Sequence, residues 1–524
     1  MNLKQDFRLL ALIQLFVALF MGIPTIIAYC WQETAAFRSF LVTIVIICLF
    51  SFAVLCLCKD RRNEHMSPAD GFLFVTLTWV LATAFGALPL VFSGTLESYS
   101  DAYFEIMSGF TTTGASTLTT IEDKARSILF WRSETNWLGG MGIVVLFVAF
   151  LPMLGVKGTM LFGSESAGPT KDKLTPKTGG TAGALWTIYL GISCIQVIVL
   201  MLGRLNWYDA VTITFSTMSA AGFCVKNSSI GTFQNPFVDV VCIIFMFLAG
   251  VNFSLYFKVL NGKSKSALHD GEFRAYSKIV LCFSFLIAIN LAVSGIYHGF
   301  FTSLRQAFFQ VVSIITTTGF STADYTQWPY FSQMLLLALF FIGGCADSTG
   351  GGIKVVRVVA LIELGRNTLH KRLHPSAVCK NRIGGEVADN DVMLGIAGFT
   401  GLYLATGLVG SILVTLSGAD LITAFSASFQ ALGNIGIGFG AVGPAGNFSL
   451  FPGWCQWVFS FLMLAGRLEL VTVYALFSRS FWRDQGAWQA SRNEKRRLEK
   501  EKQFYQQHRQ TQALEKIAHQ DDET

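Results

Sequence analysis

DAYFEIMSGFTTTG, Asp101 to Gly114, reads as a helix that stops short. The pattern recurs three times, as DAVTITFSTMSAAG (Asp209 to Gly222), QAFFQVVSIITTTG (Gln306 to Gly319) and TAFSASFQALGNIG (Thr423 to Gly436). The copies are in register. Ala102, Ala210, Ala307 and Ala424 stand twelve residues before the glycine, and Ser108, Ser216, Ser313 and Gln430 stand six before it. Two copies run on as TTTGAST and TTTGFST. Each unit is too short, and too polar at its end, to span a bilayer. It reads as a half-helix followed by extended backbone. Such backbone is tolerated at membrane depth only where it is buried or lines a water-filled path. Four units in one chain point to a ring of carbonyl oxygens, which is how a cation filter is built.

The candidate filter residues are therefore Thr112, Thr113 and Gly114; Ala220, Ala221 and Gly222; Thr317, Thr318 and Gly319; and Asn434, Ile435 and Gly436. Glycine allows the backbone to turn inward at least cost. Threonine hydroxyls offer a further oxygen layer. Each half-helix points its partially negative C-terminal end at the centre, which favours a cation there. The loops are unequal, SAAGFC in the second and GNIGIGFG in the fourth. A ring of unequal loops should select less sharply than four identical ones.

The 524 residues are 52% hydrophobic and 14% charged, against about 25% charged in a soluble protein. Mean hydropathy is +0.51. Apolar runs of ~20 residues recur throughout, which marks a polytopic membrane protein. The run from about Leu9 to Tyr29 is too long for a signal-peptide core and reads as a retained first helix. The eleven cysteines show no metal-ligand or redox spacing, and those in apolar runs (Cys48, Cys56, Cys242, Cys282) are expected to be free and buried. Seven scattered histidines give no catalytic cluster, so an enzyme is not expected.

The expected fold is all-α: two N-terminal helices, then four tandem modules of helix, pore loop and helix around a central pore. The helix pairs fall near 71–93 with 127–155, 182–203 with 236–258, 276–298 with 331–365, and 392–416 with 454–478. Module boundaries follow: 1–60 for the helix pair, then 61–165, 166–262, 263–385 and 386–484, and a charged tail at 485–524. The repeat of roughly 100 residues is too long for a solenoid and fits four fused subunits of a tetramer. Links 59–70 (Lys59, Arg61, Arg62), 156–180 (Lys157, Lys171, Lys173, Lys177), 259–275 (Lys263, Lys265, Arg274) and 366–390 (Arg366, Lys371, Arg372, Lys380, Arg382) are basic, as are both ends. The positive-inside rule assigns that side, and both termini, to the cytoplasm.

A second stretch, GGCADSTGGGIK from Gly343 to Lys354, interrupts the last helix of module three. Five of its twelve residues are glycine, and each interior glycine costs a helix ~1 kcal/mol. It reads as a flexible plug beneath the filter, with Gly343, Gly344, Asp347, Gly350, Gly351, Gly352 and Lys354 as gate residues. Arg467 completes the gate set. It falls in FLMLAGRLELVTVYALF, near the middle of the expected span 454–478, ~17 Å of helix from either end of that span, and an intramembrane ion is a functional hypothesis by default. Asp347 or the freed carbonyls around Gly350–Gly352 are its expected partners. Glu105, inside the first half-helix, is expected either to brace its loop or to tune ion passage.

The chain resembles the Trk-type potassium-uptake subunits, the TrkH/TrkG group of the superfamily of K⁺ transporters. TTTGAST, SAAGF, TTTGFSTADY, NIGIGFG, GGCADSTGGGIKVVR, GPTKDKLTPKT and GRLEL carry the resemblance over roughly residues 70–480. It implies a multi-pass protein of the bacterial inner membrane. It implies channel-like uptake of K⁺, the substrate and sole metal at the filter, with no organic cofactor in this chain. It also implies a homodimer in membrane lipid and a cytosolic nucleotide-binding regulatory subunit of TrkA type. Nothing points to nucleic acid. Ile437 stands where the family often has proline. The alternatives are a symporter coupling K⁺ to H⁺ or Na⁺ through its broken helices and a polytopic membrane enzyme.

Overall fold

The computed structural model describes residues 3–58, 68–142, 178–377, 379–383 and 386–483. The basic links at 59–67 and 156–177, the GPTKDKLTPKT motif, the expected helix beyond residue 142 and the tail from 484 lie outside the described residues. The chain divides at Val473. In the smaller unit a short helix spans Arg479–Arg483, and the Trp482 indole donates to the Leu476 carbonyl at 2.8 Å.

The larger unit is helical, as expected. Helices α1 (Leu3–Cys30) and α2 (Thr34–Leu57) form the N-terminal pair. Module one has α3 (Pro68–Gly86), a short α4 (Leu88–Phe92), the half-helix α5 (Tyr99–Phe110) and α6 (Arg126–Gly140). Module two has α7 (Thr178–Leu202), the half-helix α8 (Trp207–Met218), α9 (Pro236–Ala249) and α10 (Phe253–Leu260). A short α11 (Ser264–Leu268) leads to module three: α12 (Gly271–Val293), the half-helix α13 (Phe300–Ile315), α14 (Tyr330–Leu339) and α15 (Val355–Leu373). Module four has α16 (Asn390–Thr415), the half-helix α17 (Leu421–Gly433) and α18 (Gly453–Arg467). A two-residue hairpin, Arg382–Ile383 against Glu386–Val387, sits in the last link.

Six helices, α1, α2, α3 with α4, α7, α12 and α16, are long and apolar enough to cross a bilayer among the described residues. Their outer faces carry large exposed side chains such as Leu49, Phe52, Ile198, Ile289 and Ile412. Such apolar surface is ruinous in water and natural against lipid. All eleven cysteines are free. Cys242 is buried as expected, but Cys48, Cys56 and Cys282 are exposed on the outer faces. An apolar run does not reveal which side of a helix meets its neighbours.

The modules close into a ring. Each half-helix packs on the second helix of the module before it: α8 on α6, α13 on α9, and α5 on α18. On the remaining side Phe425 and Phe429 of α17 meet Phe341, just past α14, with ring centroids 6.5 and 5.2 Å apart. The second helices differ from the expected long spans. α9 ends at Gly250 and α10 leaves at 92°. α14 has only ten residues, ~15 Å of helix, and here the break is the one expected at Gly343–Lys354. α18 stops at Arg467, so that residue ends a helix instead of lying in the middle of one. α6 likewise ends at Gly140, before Gly142 with φ +66°.

Candidate functional site: the glycine loops and the segment beneath them

Every half-helix ends in the same way. The residue two before each glycine is left-handed: Thr112 (φ 57°), Ala220 (55°), Thr317 (61°) and Asn434 (53°). The next amide turns back to the half-helix. Thr113 N donates to Ser108 O at 2.8 Å, Ala221 N to Ser216 O at 2.8 Å, Thr318 N to Ser313 O at 2.8 Å, and Ile435 N to Gln430 O at 3.0 Å. These bonds satisfy helix-end carbonyls that otherwise lack partners. Left-handed backbone is uncommon for a side-chain-bearing residue. Here it occurs four times in register, so one backbone form is imposed on four different sequences.

The glycines meet in cyclic order. A Cβ on Gly114 would lie 2.2 Å from Gly222 N, and one on Gly222 2.7 Å from Thr318 O. A Cβ on Gly319 would lie 2.2 Å from Ile435 O, and one on Gly436 2.3 Å from Thr113 O. Gly114, Gly319 and Gly436 also have φ between 79° and 88°. The loops therefore touch in the order one, two, three, four, one, with no room for a side chain at any glycine.

The threonine hydroxyls are largely engaged. Thr113 Oγ1 shares a hydrogen bond with Thr111 Oγ1 at 2.9 Å and accepts from Asn434 Nδ2 at 3.0 Å. Thr318 Oγ1 pairs with Thr316 Oγ1 at 2.7 Å. Asn434 also donates to Met463 O at 3.0 Å, tying loop four to α18. Thr317 Oγ1 accepts from Gly351 N at 2.7 Å, and so reaches down to the glycine segment.

That segment, residues 340–354, is non-helical and closely held. Gly343 N donates to Ile353 O at 2.6 Å, so its two ends meet. Cys345 N donates to Gly250 O at 2.9 Å, and Phe253 N to Asp347 O at 3.2 Å. Thr349 Oγ1 donates to Ala249 O at 3.2 Å. The break between α9 and α10 therefore grips the break between α14 and α15. A Cβ on Gly350 would meet Thr316 O at 2.7 Å, and one on Gly351 would meet Gly433 O at 2.5 Å. The segment lies directly against loops three and four. Lys354 is buried and its ammonium donates to Gly350 O.

Arg467 bonds carbonyls, as its expected partners required in part. Nη1 donates to Thr349 O at 2.8 Å, and Nη2 donates to Gly139 O and Gly140 O at 2.7 and 3.0 Å. The first acceptor precedes the expected Gly350–Gly352 by one residue. The other two, at the end of α6, were not expected. Glu469 pairs with Arg357 through Nη2 at 2.8 and 2.7 Å. Glu105 braces its loop: it accepts from Thr117 N at 2.7 Å and Ser116 Oγ at 2.8 Å, and from Arg132 Nε at 2.7 Å.

Sequence reasoning missed Arg132, Glu272 and the ends of α6 and α9. A signal for the helix ends was present: small-residue pairs Gly139–Gly140, Ala249–Gly250, Gly343–Gly344 and Ala465–Gly466. A Cβ on Gly139 would lie 1.9 Å from Phe110 O, and one on Gly466 1.9 Å from Leu432 O. These glycines let a second helix touch the end of a half-helix.

The TrkH family profile, described as a cation transport protein, matches residues 37–489. The Trk system potassium uptake protein TrkH of Salmonella typhimurium is 37% identical over 90% of this chain and 98% of its own. The Trk system potassium uptake protein TrkG of Escherichia coli is 33% identical over 88% of this chain and 94% of its own. The solved structure of the potassium transporter TrkH from Vibrio parahaemolyticus superposes with TM-score 0.82 at 33% identity, covering 92% of this chain and 100% of that one. These relatives are transport proteins and not enzymes. The chain belongs to the TrkH family of membrane cation transport proteins.

Proposed function

We propose that this protein takes up potassium in a channel-like manner, through a filter formed by the four glycine loops, and that residues 343–354 with Arg467 gate it. The carrying observation is the cyclic contact of Gly114, Gly222, Gly319 and Gly436. Four half-helices end at that ring, and their C-terminal dipoles favour a dehydrating cation. The substrate follows from relatives named as potassium uptake proteins over most of the chain. Beneath the ring, the glycine segment together with Lys354 and Arg467 puts bulk and positive charge where a leaving cation must pass. Control then falls to a cytosolic nucleotide-binding subunit acting on this gate. The membrane is a bacterial inner membrane, and the working unit is a homodimer.

Purified protein in liposomes, assayed for K⁺, Rb⁺ and Na⁺ flux, tests this. A channel-like path gives a reversal potential that follows the K⁺ gradient alone. A reversal potential that shifts with the pH or Na⁺ gradient at fixed K⁺ would instead establish a symporter.

A further inference from the structure

Glu272 lies in the first turn of α12, outside the loops, the glycine segment and Arg467. One of its carboxylate oxygens, Oε1, accepts from Ala346 N at 2.8 Å and from Val356 N at 3.1 Å. Ala346 lies within the glycine segment, and Val356 lies two residues past its end at Lys354. Val356 is also the second residue of α15, whose N-cap Lys354 makes no side-chain cap bond. The carboxylate therefore replaces the missing cap from another helix, where its charge complements the positive helix end. One turn on, the buried Tyr276 hydroxyl donates to Phe247 O at 3.3 Å beside the break after α9. Thus α12 touches both breaks at once.

We propose that Glu272 is a positioning residue that staples the glycine segment at Ala346 to the start of α15 and holds the segment closed. This rests on the reading of that segment as the gate. A single acceptor bonded to both resists their separation. Loss of the carboxylate leaves two amides without a partner in the closed form and nothing comparable to lose in the open one. The segment then opens more often, although no group that meets the ion has changed.

The test is Rb⁺ uptake per folded molecule of the full chain in liposomes, for Glu272→Ala, Glu272→Asp and Glu272→Gln. Ala should raise basal uptake about tenfold, as expected for two unmet donors, without altering the order of ion preference. Asp, ~1.5 Å shorter, should behave like Ala, and serves if Ala does not fold. Gln keeps an acceptor oxygen but loses the charge, and should fall between the parent and Ala. With Gly343–Gly352 deleted, Glu272→Ala should add nothing. If the deletion raises uptake while a folded Ala or Asp variant does not, the staple is overturned and the gate stands. If the deletion itself leaves uptake unchanged, the gating reading fails and takes the staple with it.

Discussion

Gly114 has φ +79°, and a Cβ there would lie 2.2 Å from Gly222 N. Serine there meets two penalties: left-handed backbone, worth ~1–2 kcal/mol, and a clash that only a shift of loop two relieves. Gly114→Ser should therefore cut the preference for K⁺ over Na⁺ about tenfold or more while leaving expression near normal. Unchanged Rb⁺ uptake and unchanged Na⁺ exclusion would rule out a carbonyl ring. Arg467 tests the charge below it. Its guanidinium bonds three carbonyls on two elements, a fork that an ammonium cannot reproduce. Arg467→Ala should raise cation flux severalfold, and Arg467→Lys should keep part of the barrier. A folded Ala variant with less flux than the parent would show that the arginine only supports structure, because each lost bond to a charged group costs ~1.5–3 kcal/mol. Both residues were legible in the sequence, one from register and the other from its cost in lipid. Of the carbonyls that Arg467 bonds, Thr349 O lies beside the expected ones, but those of Gly139 and Gly140 were not legible, since they lie more than 300 positions away in the chain.

At the scale of elements, the half-helices were readable because a broken pattern repeated four times outweighs any single propensity. The break in module three was readable from its five glycines, whereas the second helices of the other modules were misread as unbroken because apolar composition continues across their breaks. α9 and α10 read as one span by hydropathy, yet turn through 92° at Gly250–Asn252. Asn252 caps α10 locally, accepting from Ser254 N at 2.8 Å, and the bonds from Cys345 N and to Asp347 O hold the turn. Deleting Gly343–Gly352 is a clean test of the segment. The two ends already meet through Gly343 N and Ile353 O at 2.6 Å, so α14 and α15 need not move far to be joined. Uptake without any partner should rise severalfold and the order of ion preference should hold. Loss of flux in a well-folded deletion would make the segment part of the conducting path.

Across the whole molecule, the links 259–275 and 366–390 keep Lys263, Lys265, Arg274, Arg366, Lys371, Arg372, Lys380 and Arg382 exposed on one expected face. A regulatory subunit docking there should present acidic residues. Raising salt from ~0.1 M to ~1 M shortens electrostatic reach from ~10 to ~3 Å, so its affinity should drop steeply over that range. Salt-independent association in detergent would point to an apolar interface instead. The four-part plan was legible, and the order in which the parts touch was not, because nothing in a linear repeat says which loop neighbours which. One consequence of the closed glycine ring concerns dosage. In a channel of four identical chains every substitution is made four times and the wall must change all at once. Here it is made once. One quarter can hold the glycine segment, the next Arg467 and another the Glu105 brace, and each can change while the other three stay as they are.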